Sequence, residues 1–213
     1  MEKDNTMTKK KSIFKHLSDV SLTSERAAFA DVQKHVEKYH HGSEAFLNLV
    51  RSRYSCRSFN SHAVASAKIA KIEEAARLAP TARNQQPVHV WTIQSPEALA
   101  KLKEATPYSY DAPVVFMVGC KPEEAWVRRC DGKNGAETDA AIVGTHIMLE
   151  AADLELGCVW VGSFDPAKIA ELFPETAGWT VTALFPTGHP SAHAAPSENH
   201  GRRRPLEEFI TRL

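Results

Sequence analysis

The stretch from Thr138 to Asp165 combines one long, mostly apolar helix with a short apolar strand, and this pair restricts the folds open to the chain. Polar side chains recur at helical spacing along one narrow stripe, at Asp139, His146, Glu150 and Asp153. Apolar residues cover most of the remaining circumference, and a helix that is apolar nearly all round is buried. We therefore predict a buried central helix.

Small residues lie near both ends of this predicted helix. Ala140, Ala141 and Gly144 would leave a groove where another backbone can approach closely. Gly157 tolerates positive φ and is predicted to end the helix. The spacing thus predicts a helix with one face open to close packing.

Composition limits the classes of protein that fit. The 213 residues are 43% hydrophobic and 24% charged, which suits one soluble domain with an extension. The net charge is zero, so no global field would hold nucleic acid or an anionic membrane. No apolar run reaches the length of a membrane span, and the Lys9–Lys11 run precedes no signal-peptide core. The four cysteines form no CxxC pair. We expect reduced cysteines and a cytoplasmic location.

Local patterns predict the elements in order. Residues 1–42 are predicted to form an N-terminal extension, a polar tail followed by one helix, and residues 43–213 the main domain. Further helices are predicted after Ser43, after Ser66 as a cap, after Ser95 and after Asp165. Strands are predicted at 88–93, 113–120, 158–161 and 179–186. This alternation of strands and helices alone would favour a doubly wound parallel sheet.

Three arginines and several hydroxyls crowd the segment RSRYSCRSF, residues 51–59. If the local turn is helical, Arg53 and Arg57 leave the same side with Ser55 between them. Such a group suits a phosphate. A solvated basic turn fits the spacing equally well.

A proline-bounded loop, APTARNQQP at residues 79–87, is dense in amides and hydroxyls. Neutral donors and acceptors on a stiff loop can bind the edge of a polar heterocycle. The alternative is a helix-to-strand turn whose amides satisfy their own backbone.

Two later segments leave their roles open. Lys121–Glu137 is charged and irregular, and would serve either as a lid or pocket wall or as a surface loop. Residues 189–200 carry three histidines without helical spacing, so no metal site is predicted. Arg202–Arg204 then precede Pro205, and Leu206–Leu213 suggests a short closing helix or arm.

The signatures of several enzyme classes are missing from the chain. It has no G-x-G-x-x-G after a strand, no G-x-x-x-x-G-K-[ST], no G-x-S-x-G and no H-E-x-x-H. What remains is two arginine clusters, an amide-rich loop and the Gly162–Ser163 turn after a buried strand. Together these groups could hold a phosphate and a planar ring.

Four blocks occur in one order: RSRYSCRSF, APTARNQQPVHVW, TDAAIVGTHIMLEAADLELGCVWVGSFDP, and LFPTGHP with GRRRPLEEFI. In these blocks the chain resembles the FMN-dependent nitroreductases, particularly their compact members, from about Ser43 to Leu213. The resemblance implies an α+β fold with a mixed central sheet flanked by helices. It also implies a domain-intertwined homodimer that packs through the helix around residues 139–156 and holds FMN at the subunit interface.

The resemblance implies a role for each matching position. Arg53, Ser55 and Arg57 would bind the FMN phosphate or the pyrimidine edge, and backbone N–H groups at the turn would face the flavin N5. The phosphate would also meet the C-terminal arm, and the amide-rich loop would come from the partner subunit. The implied FMN-binding residues are Arg53, Tyr54, Ser55, Arg57, Pro80, Thr81, Ala82, Asn84, Gln86, Gly162, Ser163, Arg202 and Arg203. No catalytic side chain and no metal is implied, because the flavin carries the chemistry.

The chain departs from the family pattern at three positions. Thr81 stands where serine is usual, Val88 where tryptophan is frequent, and Gly201 where a lysine often accompanies the C-terminal arginine. The expected activity is hydride transfer from NAD(P)H to flavin N5, followed by reduction of a small organic acceptor by a ping-pong mechanism. The alternatives are a specialised flavin reaction, dehalogenation or flavin fragmentation, or a flavin-binding protein without turnover.

Overall fold

The computed structural model describes residues 43–213, of which Phe46–Leu213 form one compact unit. The polar tail and helix predicted within residues 1–42 lie outside the described residues. The helices and strands of residues 43–213 are α1 (Ser43–Ser52), α2 (Ser66–Leu78), β1 (Val88–Ile93), α3 (Pro96–Ala105), β2 (Val114–Cys120), α4 (Ala136–Asp153), β3 (Gly157–Cys158), α5 (Pro166–Leu172), β4 (Thr180–Gly188) and α6 (Leu206–Phe209).

The four strands form one sheet in the order β1-β2-β4-β3, and each neighbouring pair is antiparallel. A parallel pairing occurs at an isolated bridge between Ser55 and Cys158. The α+β fold is therefore confirmed, and the parallel sheet that periodicity alone would favour is wrong. Periodicity reports which residues are buried but carries no information on strand direction.

Strand β2 is buried on both faces and separates two hydrophobic cores. Alternate residues of a strand face opposite sides, so Phe116 enters the core with α2 and α4 while Met117 enters the core with α3 and α5. On β4, Phe185 enters the same core as Phe116, and Leu184 enters the same core as Met117. The sheet thus carries helices on both faces, with α4 across one of them.

Local capping sets the start of two helices as predicted. The Ser95 Oγ accepts a 3.2 Å hydrogen bond from Ala98 N at the start of α3. Asp165 Oδ1 accepts from Ala167 N at 2.9 Å at the start of α5. The predicted Ser66 cap is wrong, because the N-cap position of α2 is Ala65 and no side chain caps that helix.

The end of α4 also differs from the prediction. The helix ends at Asp153, and Glu155, not Gly157, takes a positive φ of 61°. Gly157 opens β3 instead, where a Cβ would lie 2.5 Å from the Cys56 Sγ. Glycine is required there by a close approach of two segments, a long-range contact that the local pattern does not contain.

Gly144 faces the interior of its own chain. A Cβ at this position would lie 2.3 Å from Phe185 Cζ and 2.9 Å from Trp160 Cζ3. The Trp160 and Phe185 rings meet edge to face, with centroids 5.0 Å apart. The groove predicted on α4 is therefore filled by these two rings rather than by another backbone.

Candidate functional site

The segment after α1 is extended and runs alongside β3. Cys56 N donates to Cys158 O at 3.1 Å, and Cys56 is fully buried. Side chains alternate along an extended segment, so Ser55 and Arg57 lie on the side opposite Cys56, whereas Arg53 N donates to Leu49 O at 3.0 Å and still closes α1. The segment beyond Arg53 is therefore not helical, and a shared side for the Arg53 and Arg57 guanidinium groups stays a prediction.

The C-terminal arm returns to this arginine segment. His200 lies between them: its Nε2 is 3.4 Å from Arg51 O, and its ring meets Tyr54 edge to face at 6.4 Å. Arg203 Nη1 donates to His200 O at 2.6 Å and to Arg202 O at 2.7 Å. The structure therefore brings the two predicted arginine clusters to one edge of the sheet. The sequence pattern gave His200 no role, because its contact with Arg51 spans 149 positions.

A cavity of about 180 Å³ lies beside the arginine segment, between that segment and the last turns of α4. Its walls include Arg53, Tyr54, Met148 and Gly157. Burial raises the pKa of the Tyr54 hydroxyl, and the neighbouring Cys56 raises it further. Tyr54 is therefore a neutral hydrogen-bonding group beside the guanidinium groups.

The Gly162–Ser163 turn leaves the sheet just beyond Val161, whose backbone pairs with Leu184. Ser163 O accepts a 2.7 Å hydrogen bond from the buried Thr106 hydroxyl, which fixes the turn. In residues 43–213 the N–H groups of Gly162 and Ser163 have no hydrogen-bond acceptor. Both residues are exposed, so an external acceptor can approach the turn.

The space above Gly162 is open. A Cβ there would meet Trp160 Nε1 at 3.7 Å, an ordinary contact, and the backbone φ is not in the left-handed region. The chain's own packing therefore does not require glycine at this position. A bare backbone with free N–H donors suits the close approach of a flat ligand.

The Thr81 loop, residues Pro80–Pro87, is held by its own hydrogen bonds. Thr81 Oγ1 accepts from Gln86 N at 3.0 Å, and Thr81 O accepts from Asn84 N at 2.9 Å. Arg83, Asn84 and Gln86 have positive φ values of 56°, 56° and 53°. Non-glycine residues in this region cluster at functional sites. Much of the loop's backbone is satisfied internally, as the simpler sequence interpretation expected, while residues 83–86 stay exposed.

Asp139 anchors the Thr81 loop to the first turn of α4. Its Oδ1 accepts from Ala82 N at 2.9 Å, and its carboxylate is 2% exposed. Its Oδ2 is buried and has no hydrogen-bond partner among the described residues. The sequence placed Asp139 on a polar stripe, but nothing local identified Ala82 as its partner.

Two of the groups of predicted site residues, the Thr81 loop and the arginine segment, therefore lie at opposite ends of α4. The Thr81 loop contacts the helix at Asp139, while the arginine segment meets β3 beyond Asp153. These two helical residues are about 21 Å apart at a rise of about 1.5 Å per residue. One chain alone does not bring the loop and the arginines together.

Similarity to solved structures identifies the class of fold. The chain is similar to a nitroreductase family protein from Clostridium difficile 630, with a TM-score of 0.71, 35% identity, and coverage of 76% of this chain and 95% of that one. It is also similar to a nitroreductase from Desulfovibrio desulfuricans in complex with FMN, with a TM-score of 0.65, 26% identity, and coverage of 81% and 98%. The chain has a nitroreductase fold.

Sequence comparison gives the family. The nitroreductase family model matches residues 50–108 and 107–189. A protein from Methanothermobacter thermautotrophicus, described as an NADH dehydrogenase/NAD(P)H nitroreductase, is 30% identical over 169 residues, which cover 74% of this chain and 80% of the relative. The chain belongs to the nitroreductase family and is an oxidoreductase.

Proposed function

We propose that the protein binds FMN and uses NAD(P)H to reduce a small organic acceptor, such as a nitroaromatic, a quinone or an enone-like compound, in the cytoplasm. The observation that carries the proposal is the pair of N–H groups at Gly162 and Ser163, which have no acceptor within residues 43–213 and belong to exposed residues. The Ser55–Cys158 bridge places the arginine segment beside Cys158, four residues before Gly162, a separation of about 13 Å in an extended chain. That span suits a phosphate at one end and a ring at the other.

The residues present fit FMN. Arg53, Arg57 and Arg203 supply guanidinium groups for the phosphate, and charge-assisted bonds of this kind are strong. Gly162 and Ser163 supply N–H donors for an acceptor atom on the ring. When bound, FMN supplies the redox chemistry, taking a hydride from NAD(P)H and returning two electrons to the acceptor in turn. The protein contributes position and electrostatics, so no side chain is required as acid or base.

A homodimer would complete the site. Helix α4 carries a stripe of incompletely buried residues at helical spacing: Ala141, Ile142, Thr145, Met148, Leu149 and Ala152. If a two-fold axis crosses this stripe, the start of one α4 lies near the end of the other. The partner's Thr81 loop then approaches the arginine segment, which resolves the separation of about 21 Å within one chain.

The C-terminal arm gives separate support for a dimer. Leu206, Phe209 and Ile210 are 58%, 76% and 45% exposed, and Leu213 is also exposed. Monomeric proteins rarely leave so many large apolar side chains on one short segment uncovered. A second copy of the chain would cover them, as an arm exchanged between subunits does.

Substitution of Arg57 tests the proposed cofactor site. We expect Arg57→Ala to weaken FMN binding by about tenfold, the size of one charge-assisted contact. The matched control is Arg77→Ala, which removes an exposed arginine paired with Glu74 on α2. FMN content is measured by fluorescence after denaturation, and flavin bleaching is followed after mixing with NADH or NADPH.

The outcomes separate the candidate functions. Equal FMN affinity in Arg57→Ala and the parent would show that Arg57 does not contact FMN. A yellow protein that neither nucleotide bleaches would instead be a flavin-binding protein without this turnover. A protein that takes up no FMN would overturn the proposal as a whole.

A further inference from the structure

The segment between β2 and α4 contains a tight turn that we call the basic hairpin, residues Val127–Asn134. Its two ends pair as an antiparallel bridge. Arg128 N donates to Lys133 O at 2.9 Å, and Gly132 N donates to Arg128 O at 2.8 Å, with Gly132 at a φ of +73°. The hairpin is therefore an ordered element rather than an irregular loop.

Asn134 and Gly135 fix the hairpin to the scaffold. The Asn134 Nδ2 donates to Pro122 O at 2.7 Å, and its Oδ1 accepts from Ala136 N at 2.9 Å at the start of α4. Gly135 N donates to Trp126 O at 2.9 Å. The base of the hairpin is thus fixed to the same helix that anchors the Thr81 loop.

The basic hairpin is positively charged in a neutral chain. It carries Arg128, Arg129 and Lys133 against the single carboxylate of Asp131. Arg128 binds Asp131 through two nitrogens, with Nε to Oδ1 at 2.8 Å, and this contact lowers the pKa of Asp131. Among residues 43–213, Arg129 and Lys133 have no side-chain ion-pair or hydrogen-bond partner. Two exposed cations therefore remain for a ligand.

A cavity of about 220 Å³ lies between the hairpin and the Thr81 loop. Trp126 and Ala82 line it on the inner side, and Arg128 and Lys133 on the hairpin side. It is smaller than the roughly 300–1,000 Å³ of sites that enclose drug-sized ligands, so it would take one group of a larger molecule.

The charges around the cavity determine where an anion would bind. The Asp139 carboxylate lies in the deep wall and would repel an anion there. Glu124 is paired with Lys121 at 2.9 Å, and Glu137 is exposed on the first turn of α4. An anionic group would therefore bind at the outer rim, beside Lys133, rather than in the interior.

We propose that the basic hairpin binds the 2′-phosphate of NADPH and makes NADPH the preferred hydride donor. This inference rests on the proposed function, in which the Thr81 loop lies beside the FMN and the donor must approach that loop. Ala82 belongs to the Thr81 loop and also lines the cavity. A donor that passes this loop to reach the flavin would therefore lie close to the hairpin. The 2′-phosphate carries a charge of about −1.5 to −2 at neutral pH, and it distinguishes NADPH from NADH.

The test compares Lys133→Glu with Lys101→Glu. Both variants change the net charge equally, but Lys101 is an exposed residue on α3 outside the cavity. Binding of 2′,5′-ADP and of 5′-AMP to the full-length, FMN-loaded protein is measured by calorimetry. We expect the parent to bind 2′,5′-ADP about tenfold more tightly, as expected for one charge-assisted phosphate contact. This preference is lost in Lys133→Glu and retained in Lys101→Glu.

Two results would overturn the inference: equal binding of both nucleotides by the parent, or an unchanged preference in Lys133→Glu. Arg129→Glu is a second variant if Lys133→Glu fails to fold, as judged by circular dichroism and FMN content. Bleaching rates separate this inference from the proposed function. Equal bleaching by NADH and NADPH would contradict only the role of the hairpin in NADPH preference. Absence of bleaching with both nucleotides would contradict the proposed reductase activity.

Discussion

The Ala82 amide donates a 2.9 Å hydrogen bond to Oδ1 of Asp139, and this bond joins the Thr81 loop to the first turn of α4. Asp139 is almost fully buried, so loss of its side chain would leave the Ala82 N–H without a partner. Such a loss costs about 1–3 kcal/mol. The bond also sets the position of the loop, which in the proposed dimer approaches the flavin of the partner subunit.

We therefore expect Asp139→Ala to lower the melting temperature and to weaken FMN binding. Asp139→Asn is the matched variant, because its Oδ1 can accept the same bond from Ala82 N. Thermal unfolding and FMN titration would measure both effects. If the two variants lose FMN affinity equally, the hydrogen bond is not what positions the loop.

Gly144→Ala tests the packing of α4 on the sheet. A Cβ would lie 2.3 Å from Phe185 Cζ, so the aromatic rings or the helix must shift. Overpacking of this kind costs about 1–3 kcal/mol in the free energy of unfolding. Gly201→Ala is the control, since nothing lies within 4 Å of a Cβ there. Denaturant unfolding should separate the two variants, and equal stabilities would contradict the close contact.

Thr145→Arg tests the proposed dimer. Thr145 is exposed in the middle of the incompletely buried stripe of α4, so an arginine is tolerated by the monomer but not across a two-fold axis. Light scattering should give twice the 23.6 kDa chain mass for the parent and a single chain mass for the variant. Ala100→Arg, at an exposed position of α3, should remain dimeric. If Thr145→Arg is still dimeric, the subunit interface does not lie on this stripe of α4.

Thiol labelling tests the environments of the cysteines. Cys130 is exposed, whereas Cys56, Cys120 and Cys158 are buried. Burial raises the pKa of Cys158 to about 12, so only about 0.01% of it is thiolate at pH 8, and the thiolate is the reactive form. We expect one rapidly labelled thiol per native chain by mass spectrometry, and none in Cys130→Ser. Rapid labelling of a second thiol would show that a buried segment opens.

Local sequence patterns determined the parts of the fold that depend on near neighbours. The bounds of β1, the Ser95 and Asp165 caps and the buried strand β2 follow from patterns a few residues long, because caps and alternation are short-range effects. The motif blocks also indicated the family. The individual FMN contacts stay predictions.

The tertiary structure decided what depends on residues far apart in the sequence. Phe185 and Trp160 account for the small residue at position 144, and Cys56 accounts for Gly157. Strand direction, the approach of His200 to Tyr54, and the separation of the Thr81 loop from the arginine segment likewise come from the assembled chain. Such contacts arise when distant segments pack together, and no local pattern specifies which segments will meet.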